Sequence, residues 1–399
     1  MFRPKTVYCV LAPMYYCTKL FGLAPFKISN KGFEHSKINI LWSLCFMIFL
    51  NAYTTIALLR RPEKEWQFSM VVTDILISYV TQANIVCAIL FACVHSEKIL
   101  AVLESIDSFD RSIQTTYPKI GILLKYRKCK ILLILGIAAV SLLLTTTIVL
   151  SFFTGSQLFS HLGEFVAYIA PELISIYTQF QFCTIVLCLK QRFGWLNGIV
   201  LNTSTKYKNK RKIFSIAIKS LQSSRDSIII NLENIRSRHY ALYDISKRLN
   251  SAYSIQLLLI VAQIFVTILV LTYYVGRNLI LEDEVLVKYL LFCLIQIALA
   301  VLQIITLTMI CSATSREAEK TGVLLYRIKA EQLESRTKQH LQLPMMNFAL
   351  QMIQQDLSFN ACDIFVLNES LMLSIAGAIT THLVIVKQFE NKDLKILKD

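Results

Sequence analysis

The chain has 399 residues, of which 55% are hydrophobic and only 17% charged, with 41 Lys and Arg against 26 Asp and Glu and a formal net charge of +15. A soluble domain carries about a quarter charged residues because its surface must be solvated. The composition therefore argues against a soluble enzyme and excludes a disordered chain, a collagen-like repeat and a small disulfide scaffold.

In so apolar a chain, excess positive charge belongs on the cytoplasmic side of a membrane, and nucleic acid is not expected as a partner. The first 37 residues carry Arg3, Lys5, Lys19, Lys27, Lys31 and Lys37, with no clean apolar core ending in small residues, so no cleavable signal peptide is expected. The stretch Val10–Phe26 is apolar and aromatic but broken by Pro13 and Pro25. It reads as an interfacial helix at the cytoplasmic face.

Membrane spans are expected at 38–59, 70–94, 131–153, 165–189, 254–276, 289–313 and 370–389. A helix needs roughly 20 apolar residues to cross the hydrocarbon core. Runs of this length are helices, because barrel strands alternate over about 10 residues. The last span is short and unusually polar, with Ser374, Thr380, Thr381, His382, Lys387 and Gln388 beside the small residues Ala376, Gly377 and Ala378. Polar groups are costly against lipid, and small residues allow close helix approach, so this helix should face protein or water.

The segments between spans divide by charge. Of the 41 Lys and Arg residues, 32 fall before span one, between two and three, between four and five, and between six and seven, against 8 on the other side. The positive-inside rule then puts the amino terminus in the cytoplasm and the carboxyl terminus outside. The blocks 190–250 and 314–368 both read as helical and as a cytoplasmic anchor. In the first, Ile228, Leu232, Ile235, Tyr240 and Leu242 lie near one stripe; the second carries Glu317–Lys320 and Glu331–Arg336, and Pro344 separates it from 345–358. The expectation is an all-α, multi-pass plasma-membrane protein of seven transmembrane helices with a helical cytoplasmic anchor.

The eleven cysteines include no Cys-x-x-Cys pair, and the six histidines are scattered. No metal site, cofactor, nucleophile elbow or phosphate loop is readable, so no enzyme is expected.

The carboxyl end is the most specific part. Thr381-His382-Leu383-Val384-Ile385-Val386-Lys387-Gln388-Phe389 resembles the hallmark of insect gustatory receptors: Thr-Tyr, five hydrophobic residues, then Gln-Phe. Phe359-Asn-Ala-Cys-Asp-Ile-Phe365 is similar to that family's approach to its last helix. Leu249-Asn250-Ser-Ala-Tyr253-Ser254-Ile-Gln256, entering span five, is a weaker match. His382 replaces the usual Tyr, and Lys387 stands at a normally hydrophobic position, where it can snorkel to the outer interface.

The resemblance implies a ligand-gated, non-selective cation channel, a homotetramer or a heteromer with other gustatory receptors, in which the last helix lines the pore. Helical spacing places Thr381, Val384 or Ile385, and Gln388 on one face, and the resemblance makes Ile385, Gln388 and Phe389 the constriction. The small-molecule tastant would enter a cleft open to the outside among spans two to six. The outer ends of those spans hold Asp74, Phe153, Tyr168, Glu172, Tyr273, Tyr274, Tyr289 and Gln296. Aromatic walls with few polar groups suit a small organic ligand, and intramembrane acids such as Asp74 and Glu172 mark sites by default. The alternatives are a buried structural hydrogen bond for the acids and an interfacial belt for the tyrosines. The sugar-receptor branch often carries Glu where Leu383 stands, which favours a bitter or other non-sugar ligand over a sugar. The rival classes are a metabotropic seven-helix receptor, which the orientation opposes, and a transporter, whose internal repeat is absent.

Overall fold

The computed structural model describes residues 7–29, 32–59, 68–118, 126, 129–131, 133–142, 145, 162–213, 220–278, 284–332 and 338–396, and the features below lie within them. The helices are α1 (Val7–Leu20), α2 (Lys37–Leu59), α3 (Phe68–Val94), α4 (Ser96–Thr116), α5 (Cys129–Leu142), α6 (Leu162–Ile213), α7 (Ser220–Asn278), α8 (Glu284–Gln332), α9 (Lys338–Gln354) and α10 (Glu369–Ile396). Two short antiparallel hairpins complete the fold: β1 (Phe26–Ser29) with β2 (Gly32–His35), and β3 (Asn360–Ala361) with β4 (Phe365–Val366).

Four helical stretches, Lys37–Ile56, Ala170–Leu201, Ile230–Gly276 and Leu290–Leu325, are long and apolar enough to cross a membrane. Tyr79–Val94 and Ser96–Thr116 qualify as a pair bent by 60°. Cys129–Leu142 and Glu369–Ile385 are shorter apolar helices. The all-α, multi-pass character is thus visible in the helices themselves. On α2 the side chains of Ile38, Leu41, Trp42, Ile48, Phe49 and Ile56 are exposed, the pattern of a helix with one face to lipid.

The three longest helices decide the architecture. At 1.5 Å per residue, the 52, 59 and 49 residues of α6, α7 and α8 extend about 75–90 Å. Hydrocarbon is only about 30 Å thick, so each must project well beyond it. They pack on one another, with α3 and α4 against α7, and α2 against α3 and α6. One hydrophobic core runs through α1, α4, α6, α7, α8 and both hairpins; a smaller one joins Leu23, Leu50, Ile85, Ala88, Ile89, Ile174 and Tyr177.

Three local outcomes differ from the expectations. The Val10–Phe26 stretch is not one helix: α1 runs through Pro13 and ends at Leu20, and Phe26 begins β1. Its end is a Schellman motif, with Leu23 N–H donating to the Thr18 carbonyl (2.9 Å) and Gly22 N–H to that of Lys19 (3.1 Å). Gly22 supplies the left-handed φ of 71° that the motif requires. The buried face of α1 packs on α4 and α6. Second, Pro344 does not separate two helices but lies inside α9, while α8 ends at Gln332. Third, α4 was not expected; it buries Ile99, Val102, Leu103, Ile106, Asp110 and Ile113 at helical spacing.

Asp110 on that face meets Arg192 of α6, a residue almost wholly buried. Arg192 Nε and Nη2 donate to Asp110 at 3.1 and 2.6 Å, and Nη1 donates to the Cys188 carbonyl at 2.8 Å. The guanidinium lies over the Trp195 ring at 5.0 Å. The Tyr126 hydroxyl also donates to Asp110. Burial, then the Asp110 charge, pushes that hydroxyl far above the usual tyrosine range, so it remains a donor.

Candidate functional site

Two regions carry polar groups where an apolar bundle has least use for them. The first lies inside the bundle. Asn84 of α3 donates from Nδ2 to Ser175 Oγ of α6 and to Gln263 Oε1 of α7, and Ser175 Oγ–H donates to the same Gln263 oxygen. All three residues are buried. Two turns below on α7, Gln256 donates to the Ala88 carbonyl of α3 at 2.8 Å. One turn along α6, Gln179 donates to the Gln303 carbonyl of α8 at 2.8 Å and to Thr306 Oγ1 at 3.3 Å. Among the described residues, Asn84 Oδ1, Gln179 Oε1 and Gln256 Oε1 accept no hydrogen bond. A buried acceptor without a donor costs about 1–3 kcal/mol, so these three oxygens are the places in this interior where a donor would be most favourable.

Of the residues expected to bind ligand, Glu172 lies on α6 one turn before Ser175, half-buried. Gln296 of α8 is buried, as is Tyr274 of α7; Tyr273 is half-buried, its ring 5.9 Å from that of Tyr274. The packing of α6, α7 and α8 brings these helices together. Asp74, Tyr168 and Tyr289 lie on α3, α6 and α8, with side chains outside the described residues, as is Phe153 altogether. The sequence reading missed Asn84, Ser175 and Gln263; the available signal was a neutral amide or hydroxyl inside each of three apolar runs.

The second region is α10. Asn368 caps it, Oδ1 accepting from Ser370 N–H at 3.1 Å and from Ser370 Oγ–H at 2.6 Å. Leu371, Met372, Ile375 and Ile379, at helical spacing, pack on the core, and the helix rests on α7 and α8. On the opposite face Thr381 and Val384 are exposed, and a Cβ added at Gly377 would meet nothing within 4 Å; His382 and Ile385 are exposed as well. Gln388 and Phe389 are in the helix, with side chains outside the described residues. The Ser374, Thr380 and Thr381 hydroxyls bond back to carbonyls one turn earlier, at 3.1, 2.8 and 2.9 Å. These three are satisfied within the helix. The case for shielding α10 from lipid therefore rests on His382 and on the small residues Ala376, Gly377 and Ala378.

Among the described residues, no three His, Cys, Asp or Glu side chains are arranged to hold a metal ion.

Comparison with known proteins agrees with this architecture. The insect olfactory receptor OR5 from Machilis hrabei shares the fold, with a TM-score of 0.59 at 15% identity over 95% of this chain and 97% of that one. The same receptor in complex with eugenol gives a TM-score of 0.53 at 14% identity over the same shares. A stretch of 156 residues is 26% identical to a Drosophila melanogaster protein provisionally named gustatory receptor 28b, covering 38% of this chain and 32% of that protein; the match thus spans about a third of that relative. The family profile described as 7tm Chemosensory receptor matches residues 11–393. The chain belongs to this 7tm chemosensory receptor family, that of the insect gustatory and olfactory receptors, and is a receptor rather than an enzyme.

Proposed function

We propose that this receptor is a ligand-gated, non-selective cation channel of the plasma membrane, built from four copies or together with other gustatory receptors, and opened by a small bitter or otherwise non-sugar tastant. Its spans are α2, α3, the segment 131–153 that includes most of α5, the first part of α6, the last part of α7, the first part of α8, and α10. The remaining lengths of α6, α7 and α8, with α4 and α9, form the anchor on the cytoplasmic side, where the amino terminus also lies.

The observation that carries the reading is the open face of α10. An apolar helix that presents Gly377, Thr381 and Val384 along one face, away from its own bundle, has a surface for other copies of itself, with water at the centre. Thr381, Val384, Ile385, Gln388 and Phe389 then line or close the pore, which shuts by dewetting at its apolar constriction. The ligand lies among α3, α6, α7 and α8. Asn84, Ser175 and Gln263 form the polar floor, Glu172, Tyr273, Tyr274 and Gln296 stand on the surrounding helices, and Asp74, Phe153, Tyr168 and Tyr289 line the approach. OR5, which shares this fold, binds the small aromatic molecule eugenol; a ligand of that size suits such a cleft. Opening follows from tighter binding to the open form than to the closed one.

The test is current recording from cells expressing the chain alone, challenged with alkaloids and sugars while G-protein signalling is blocked. Evoked cation currents are expected, with Gln388→Ala changing conductance or resting leak and Asp74→Ala shifting the dose response. Responses that vanish with the G-protein block would contradict direct gating.

A further inference from the structure

Seven consecutive residues of α7, Asn250 to Gln256, bind three separate parts of the chain. On one side is the lead-in to α10. Asn250 Oδ1 accepts from the Asn360 backbone N–H at 3.1 Å, and Asn250 Nδ2 donates to Asn360 Oδ1 at 2.8 Å. One helical turn later, Ser254 Oγ accepts from the Cys362 backbone N–H at 2.6 Å. These bonds grip the turn between β3 and β4, which Ile364 N–H closes onto the Ala361 carbonyl at 3.0 Å.

On another side is the bend between α3 and α4. His95, the residue at that 60° bend, contacts the Ala252 carbonyl through Nδ1 at 2.9 Å. A carbonyl can only accept, so Nδ1 carries the proton. Gln256 adds its bond to the Ala88 carbonyl of α3. Between these contacts Tyr253 packs on Phe182 of α6, with rings 5.4 Å apart, and Phe182 meets Phe359 edge-on at 6.0 Å, immediately before β3.

The turn itself is unusual. Cys362 and Asp363 have φ of 52° and 56°, a left-handed pair that L-residues avoid and that two-residue hairpins usually assign to Asn-Gly. Such a conformation persists only where neighbours over-determine it. Here the holders are Ser254 and the Asn360–Asp363 side-chain bond of 2.7 Å. Beyond the turn there is little slack. Leu367 N–H donates to the Phe359 carbonyl at 2.8 Å, and Asn368 caps α10 directly.

We propose that this segment of α7 is the joint through which movement at the α3–α4 bend reaches the start of α10, with His95, Asn250 and Ser254 as its positioning residues. The consequence for gating rests on the channel reading above; the mechanical link does not. Simple stapling of the hairpin predicts that only Asn250 and Ser254 matter to it. A joint predicts that His95, which bonds α7 but has no bond to the hairpin, matters as well.

The test is hydrogen–deuterium exchange of the full-length chain purified in detergent, read over 360–379. Ser254→Ala and His95→Ala should each speed exchange there by about tenfold, with an unchanged elution profile. Ser254→Thr keeps the acceptor, and His95→Asn keeps a donor near the place of Nδ1; each should restore exchange to within about twofold of wild type. Exchange over 360–379 that is unchanged in His95→Ala, or equally fast in Ser254→Thr and Ser254→Ala, would overturn the joint. Absent ligand-evoked current in the wild type would instead overturn the channel reading and leave the exchange result standing.

Discussion

Arg192 shows how single residues set the stability of the helical base. Its charge is buried beside Asp110, with the Cys188 carbonyl and the Tyr126 hydroxyl completing the network. Removing one partner of such a pair leaves a buried, uncompensated charge and costs about 3–5 kcal/mol, while replacing both with apolar residues is often neutral. Asp110→Ala should therefore sharply lower the thermal unfolding temperature of the purified receptor. The double variant Asp110→Leu with Arg192→Met should recover more than half of that loss; equal losses in both would show that the charges do not act as a pair. Neither residue could be singled out from sequence, because each reads as an ordinary charge in a cytoplasmic segment. Asn84, Ser175 and Gln263 were missed for the complementary reason. Counting acids and bases finds the spans but passes over neutral side chains that hydrogen-bond one another across three helices. Ser175→Ala should leave Asn84 without one acceptor and shift the dose response of evoked currents, whereas a change at exposed Tyr79 should not.

At the scale of elements, the sequence was clear where hydrophobic runs are long and in the blocks 190–250 and 314–368, read as helical, into which the long helices continue. Hydropathy marks where lipid contact ends, not where a helix ends. Lys, Arg, Glu and Gln are good helix formers, so α6, α7 and α8 run on without a break. Hydropathy hid α4, although Ile99, Val102, Leu103, Ile106 and Ile113 repeat at three and four. The β3–β4 hairpin has two-residue strands, too short for any alternation to register. The α10 helix was legible through its motif, and its open face yields a sharp prediction. At Gly377 an added Cβ meets nothing within 4 Å, and Leu is the better helix former. Gly377→Leu should thus change subunit stability by less than about 1 kcal/mol, yet lower the assembled fraction at least tenfold by light scattering. Normal assembly in that variant would place other copies away from this face.

For the whole molecule, α7 ties the buried polar cluster of Asn84, Ser175 and Gln263 to the lead-in of α10, a helix with an exposed face. Gln263 of that cluster and the Asn250 and Ser254 grip on the α10 lead-in lie on the same helix, about two to four turns apart. Family membership and fold follow from the whole chain, since the matched profile covers residues 11–393, whereas the pore depends on what surrounds α10. The most direct measurement is a cryo-electron microscopy reconstruction of the full-length receptor in lipid nanodiscs. The account predicts four copies around a central axis, with Thr381 and Val384 or Ile385 turned toward it and α7 and α8 behind. A particle with α10 on its perimeter against lipid, or a single subunit that still conducts, would contradict it.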